Sequence, residues 1–135
     1  MNAPLESSAS SVPPRVAIRP EITTEDTASS EAEQFQNRVL RPIIKMQNEL
    51  ILSIYKHFLA KRKVKFSGMS IEKRAQWIET SVTKDNRLRG ILLGMVIGQF
   101  TEDELGQFIE MEGEIRRRIT NLITQRLQSQ MKALL

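Results

Sequence analysis

From Leu40 to Phe58 one series recurs three and four positions apart, apolar but for Gln47: Leu40, Ile43, Ile44, Gln47, Leu50, Ile51, Ile54, Tyr55 and Phe58. That spacing lines one face of a helix. The same period returns from Ile71 to Val82 and from Leu105 to Met131, while the alternation of a half-buried strand is nearly absent. A chain so patterned has to pack helix on helix. Its 135 residues, 40% of them hydrophobic, suit one domain with a modest core.

Local signals set the boundaries. Residues 1–32 hold four of the five prolines and much Ser and Thr, and are expected to form a disordered tail. Within that tail "VPPRVAIRP" reads as extended, with Val12, Val16 and Ile18 able to dock on a partner. The helical domain is expected over 33–135, with helices at about 38–62, 71–84, 86–98 and 102–131. Ser30, Ser70 and Asp85 are candidate N-caps. Thr101 to Glu104 reads as a capping box, with Phe100 before it available to pack on Leu105. Pro42 either kinks the first helix or sits in its first turn. The expected fold is all-α: four helices, the last one long, behind a disordered tail.

"GILLGMVIGQFTEDE" carries Gly90, Gly94 and Gly98 at spacing four. A phosphate loop needs a following Lys-Ser/Thr, and none is present. A membrane helix needs about 20 apolar residues, more than this run supplies. The remaining reading is a buried central helix in which Gly90 and Gly94 form a groove for a neighbouring backbone. Gly98 would then end the helix with a positive φ. On that reading Gly94→Leu unfolds the domain.

Little enzymatic chemistry is visible. The chain has no cysteine, which removes disulfides, thiolate nucleophiles and Cys-ligated zinc. His57 is the one histidine, with no Glu-x-x-His pair, and Glu49 and Asp85 are its nearest possible partners as a metal ligand. No serine stands in a G-x-S-x-G context. No catalytic residue, metal site or cofactor is therefore expected.

Charge is more informative. Residues 1–32 set two arginines against five acids, a net −3, and residues 33–135 set 18 cations against 11 acids, a net +7. Lys61, Arg62, Lys63 and Lys65 stand among Tyr55, Phe58 and Phe66, a mixture suited to phosphates and bases. Arg87 and Arg89 are placed to grip an anion at the mouth of the bundle. Arg116, Arg117 and Arg118 span about 200° of a helix, so all three cannot face one ligand. A last helix of about 30 residues spans about 45 Å, longer than a compact domain of this size requires. Either the long first helix runs alongside it or, as favoured here, its end with Leu127 and Met131 meets a second copy or another protein.

With "LRPIIKMQNELI", "LLGMVIGQFT" and "IRRRITNLITQRLQ" in view, residues 38–130 resemble a family of small all-helical bacterial proteins without an assigned function. Members sometimes carry the label "glyoxalase", which implies His and Glu metal ligands on strands. This sequence has neither the strands nor the histidines. The resemblance implies the all-α fold and supplies no site.

The sequence thus leads to a non-enzymatic, cytoplasmic protein acting by protein–protein contact, as a homo-oligomer or assembly subunit. The alternative is a nucleic-acid-binding accessory protein using the 61–65 segment. "MNAPLESSASS" has no secretory pattern, and no membrane span or small-molecule substrate is expected.

Overall fold

The computed structural model describes residues 12–22 and 30–135. The expectation of disorder for 1–11 and 23–29 lies outside the described residues. The described residues are helical, with no strand among them.

Ser30 accepts from the Glu33 N–H and opens α2, Glu31–Phe35. The chain widens into a π-helical turn, Gln36–Leu40, and resumes as α3, Arg41–Met46. This turn explains how Pro42 is tolerated. Proline lacks an N–H and its ring crowds the carbonyl four residues back, and a π-helical turn relieves that crowding. Pro42 thus stands in the first turn of α3, one of the two placements expected from the sequence. Gln47, with φ −97° and ψ 15°, makes the real break, and α4 follows as Asn48–Lys61.

The end of α4 is closed by Lys63 at φ 56°, with Val64 N–H on the Leu59 carbonyl at 2.9 Å. Glycine is the usual residue at such a left-handed stop. Ser70 and Asp85 cap α5, Ile71–Lys84, and α6, Asn86–Ile97, each accepting the backbone N–H three residues on. Thr101 and Glu104 form the reciprocal capping box of α7, Glu102–Glu110. The expected long last helix is divided at Met111, φ −127°, and α8 runs Glu112–Ser129. A 3-10 turn, Met131–Leu134, folds back onto α4.

Helix α8 is the central element, because α4, α5 and α6 all pack on it. Ile115, Ile119 and Leu127 are fully enclosed, together with Ile43, Ile51, Tyr55, Ile78 and Val96 from the surrounding helices. Division at Met111 and closure of the C-terminal turn remove the length argument for a second copy. Leu127 is 0% exposed within this chain, so it is not available to dock a partner, and Met131 is half-buried against the core.

The glycine reading also needs correction. Gly90 and Gly94 are exposed, and a Cβ at either would meet nothing within 4 Å. Helix α6 turns Leu88, Leu92, Leu93 and Val96 inward, while its glycines and Ile91 face out. No neighbouring backbone uses the groove. Gly98 does cap α6, but at φ −62°, and its reason to be glycine is closeness: a Cβ would stand 3.0 Å from the Gly94 carbonyl oxygen. Gly94→Leu is accordingly not expected to unfold the chain. Gly94→Ala should instead raise stability by about 1 kcal/mol, the helix-propensity difference, read from denaturant midpoints. A loss of stability would mean that α6 is packed differently. Leu50, Ile71, Leu105 and Ile109, expected on inner faces, are exposed as well.

The Val12–Ile22 segment is the largest departure. It is neither a strand nor free. Pro13 is extended, and α1, Pro14–Ala17, is a short helix. Arg19 reaches the capping box, giving Nη1 and Nη2 to the two Glu104 carboxylate oxygens at 2.8 Å each and Nη2 to the Gln99 carbonyl at 2.7 Å. Arg15 donates to the Phe100 carbonyl. Arg19 is 4% exposed, so part of the expected tail is anchored in the fold. Val16 is half-buried, whereas Val12 and Ile18 are exposed.

Candidate functional site

The cationic residues separate into groups with different surroundings. Arg62 is engaged within the fold, since it pairs with Asp85 and lies over the Phe58 ring at 4.9 Å. Asp85 in turn caps α6. The Leu88 N–H holds its carboxyl below the usual carboxylate range, burial opposes, and Arg62 adds to the lowering. Asp85 is thus committed to structure and is no partner for a metal at His57, which is exposed. Among the described residues no three His, Cys, Asp or Glu side chains are grouped to hold a metal. Lys63 and Lys65 line an apolar cleft, and Lys61 is exposed. Of the four cations at 61–65, Arg62 is thus the one engaged by a carboxylate.

Helix α8 gathers cations that are distant in sequence. From Ile115 to Leu135 there are five cations and no Asp or Glu. Arg116 and Arg117 line an open cleft of about 290 Å³ with Arg89, Thr83, Thr120, Asn121 and Leu93. Arg89 is held there by the Thr83 carbonyl at 3.2 Å and Asn86 Oδ1 at 3.3 Å. Arg117 has no side-chain partner among the described residues, and Arg116 has only a long contact, 3.4 Å, to exposed Glu112. No carboxylate side chain lines this cleft. Arg118 points elsewhere, bonded to Glu114 and to Gln36 Oε1. Arg87 is exposed and does not line the cleft.

A second cleft, about 470 Å³, is lined by Arg41, Lys45 and Arg126 with Ile22, Ile44, Leu122, Gln125 and Ser129, again without a carboxylate side chain. The α8 residues of the two clefts are centred about 160° apart at 100° per residue. Exposed Asn121 and Gln125 form the ridge between them. Arg117 has no internal partner, and Arg89 and Arg41 bond only to neutral oxygens; guanidinium groups so placed are suited to phosphate, which they bind with paired N–H donors. Aromatic side chains line neither cleft, so the arrangement supplies phosphate contact rather than base stacking.

The expectation from sequence named Arg89 but not Arg116, Arg117, Arg41, Lys45 or Arg126. The missing signal was available, because a 21-residue run without an acid is visible in the chain. Its convergence with Arg89 depends on the packing of α6 on α8. No helix among the described residues is long and apolar enough to cross a membrane. No protein-family model, curated protein or solved structure matches the chain.

Proposed function

We propose that this is a non-enzymatic cytoplasmic protein that binds the phosphate backbone of nucleic acid, without sequence preference, along the exposed side of α8. The reading rests on one observation: Arg89, Arg116 and Arg117 converge on a cleft that holds no carboxylate side chain. The Arg41, Lys45 and Arg126 cleft on the other flank of α8 extends the same potential. Binding of this kind depends on counterion release.

The triple variant Arg89→Gln/Arg116→Gln/Arg117→Gln should lose about tenfold or more in affinity for an arbitrary duplex, and the loss should be similar for unrelated sequences. Electrophoretic mobility shift at low salt reads it, with circular dichroism showing an intact helical fold. Unchanged retention by the folded variant overturns the reading.

Contact with another protein is a second reading, favoured by Leu105 and Ile109. They stand one turn apart on the outer side of α7, 40% and 60% exposed. A concentration-dependent sedimentation coefficient, abolished by Leu105→Gln/Ile109→Gln, supports it. A monomer at every concentration counts against self-association.

A further inference from the structure

The 12–22 segment is tied down by charge rather than by apolar burial. No residue of α1 is buried. Its hold on the fold is polar: Arg19 donates to both Glu104 carboxylate oxygens and to the Gln99 carbonyl, and Arg15 donates to the Phe100 carbonyl. The anchor is also incompletely satisfied, because the buried Arg19 Nε has no hydrogen-bond partner among the described residues. A segment with so few buried apolar contacts belongs to the part of a structure that opens most readily.

The same segment stands in the way of a larger cationic surface. Half-buried Ile22 is a wall of the Arg41, Lys45 and Arg126 cleft. It is also a wall of a neighbouring cleft of about 550 Å³, which Val16, Pro20 and Glu21 form with Asn37, Arg38 and Pro42. Ile22 is the one residue that the two linings share. Arg38, Arg41 and Lys45 follow one another three and four positions apart. Arg38 is exposed and has no hydrogen-bond or ion-pair partner among the described residues. Glu21, the one acid among residues 12–22, lines the cleft with Arg38, and its carboxylate opposes any phosphate drawn there.

We propose that residues 12–22 are an autoinhibitory strap across the nucleic-acid surface. Its release joins Arg38 to Arg41, Lys45 and Arg126 in one trough and raises affinity for phosphate backbone. Without Ile22 the two clefts lose the wall they share. Without Glu21 neither lining holds a carboxylate side chain. The inference rests on the phosphate-binding reading of α8 and names how that surface is regulated. The latch is the Arg19–Glu104 pair, which lies on the α7 side of the strap and outside both cationic linings on α8.

Two full-length variants with opposite charge changes test the proposal. Arg19→Gln removes a cation and Glu104→Gln removes an acid, and glutamine at 104 keeps the chemistry of the cap. Simple electrostatics makes the first weaken duplex binding and the second strengthen it. Release of the strap makes both bind an arbitrary duplex about two- to fivefold more tightly than wild type, the gain from one exposed charged contact. Mobility shift at low salt reads the affinities, and circular dichroism checks the fold. Trypsin cleavage after Arg15 should quicken in both variants, and Arg19→Gln/Arg38→Gln should lose the gain. Cleavage after Arg15 at the wild-type rate overturns the latch. Arg19→Gln binding no tighter than a wild type that binds through Arg89, Arg116 and Arg117 overturns the strap alone. Absence of duplex binding by the wild type and both variants overturns the strap and the α8 reading together.

Discussion

Tyr55→Ala should destabilise the chain by about 4 kcal/mol, near the upper end of large-to-small core substitutions. Tyr55 is fully enclosed and ties three elements together. Its ring stacks on Phe58 of its own helix at 5.7 Å and meets Phe66 of the following turn at 6.3 Å. Its hydroxyl and Ser81 Oγ of α5 are hydrogen-bonded at 2.8 Å. Truncation opens a cavity among these groups. Tyr55→Phe should cost only about 1 kcal/mol, because Ser81 still reaches the Trp77 carbonyl at 2.7 Å. Urea unfolding at constant m-value measures both. A loss below about 1.5 kcal/mol for the alanine variant contradicts the described core.

The same residue gives a pH dependence. Burial pushes the Tyr55 hydroxyl up to about 12, against a smaller lowering by Ser81. The unfolded chain releases this proton near pH 10. Stability from the protonated hydroxyl is therefore complete below about pH 10 and is lost as pH rises toward about 12. Tyr55 is the only tyrosine, so its absorbance titration reports this group alone. Tyr55→Phe should remove its share of the alkaline loss.

Glu104→Ala should have the next largest effect, about 2–3 kcal/mol, since it removes a cap and one partner of a buried ion pair. Glu104 Oε1 accepts the Thr101 N–H at 2.9 Å while both its oxygens hold Arg19. Without the carboxylate, Arg19 is a buried charge without a countercharge, and burial of such a group is costly. Arg19 lies on a short flanking segment, however, so residues 12–22 can release it into water. That escape limits the loss below the 3–5 kcal/mol typical of a broken buried pair. Trypsin should then cut after Arg15, which Val16 follows, in the variant well before it does so in the wild type. Equal cleavage would contradict the docking.

Acid should act in the same direction. Burial raises the Glu104 carboxyl, but Arg19 and the Thr101 N–H together hold it below its usual range. Its stabilisation is present above the ordinary carboxylate pKa, about 4.3, and disappears as pH falls through the lower folded value. Hydrogen exchange across residues 12–22 should accelerate in that window.

These residues also show what could be read from sequence. The caps at Ser70, Asp85 and Thr101 were legible because a short oxygen-bearing side chain before an apolar period has one local use. The Glu112–Arg116 and Glu114–Arg118 pairs follow from a different local rule, the i,i+4 spacing of opposite charges on a helix. Burial direction was not. A glycine every fourth residue fits an inward groove or an outward face equally, and only the packing of α6 on α8 decides. The division at Met111 has no proline or capping residue to announce it. The Arg19 contact joins residues 85 positions apart, and the prolines around it are equally typical of an unstructured tail. The arginine cleft was half legible, its α8 members in one run and Arg89 supplied by tertiary structure.

The central claim is that α8 presents arginines to phosphate. The slope of log affinity for a duplex against log salt concentration measures how many phosphates the protein neutralises. For the wild type the account predicts a slope of about −3 or steeper, and a reduction of about one for each of Arg89, Arg116 and Arg117 replaced by glutamine. A slope near zero, or one that the three replacements leave unchanged, would contradict it.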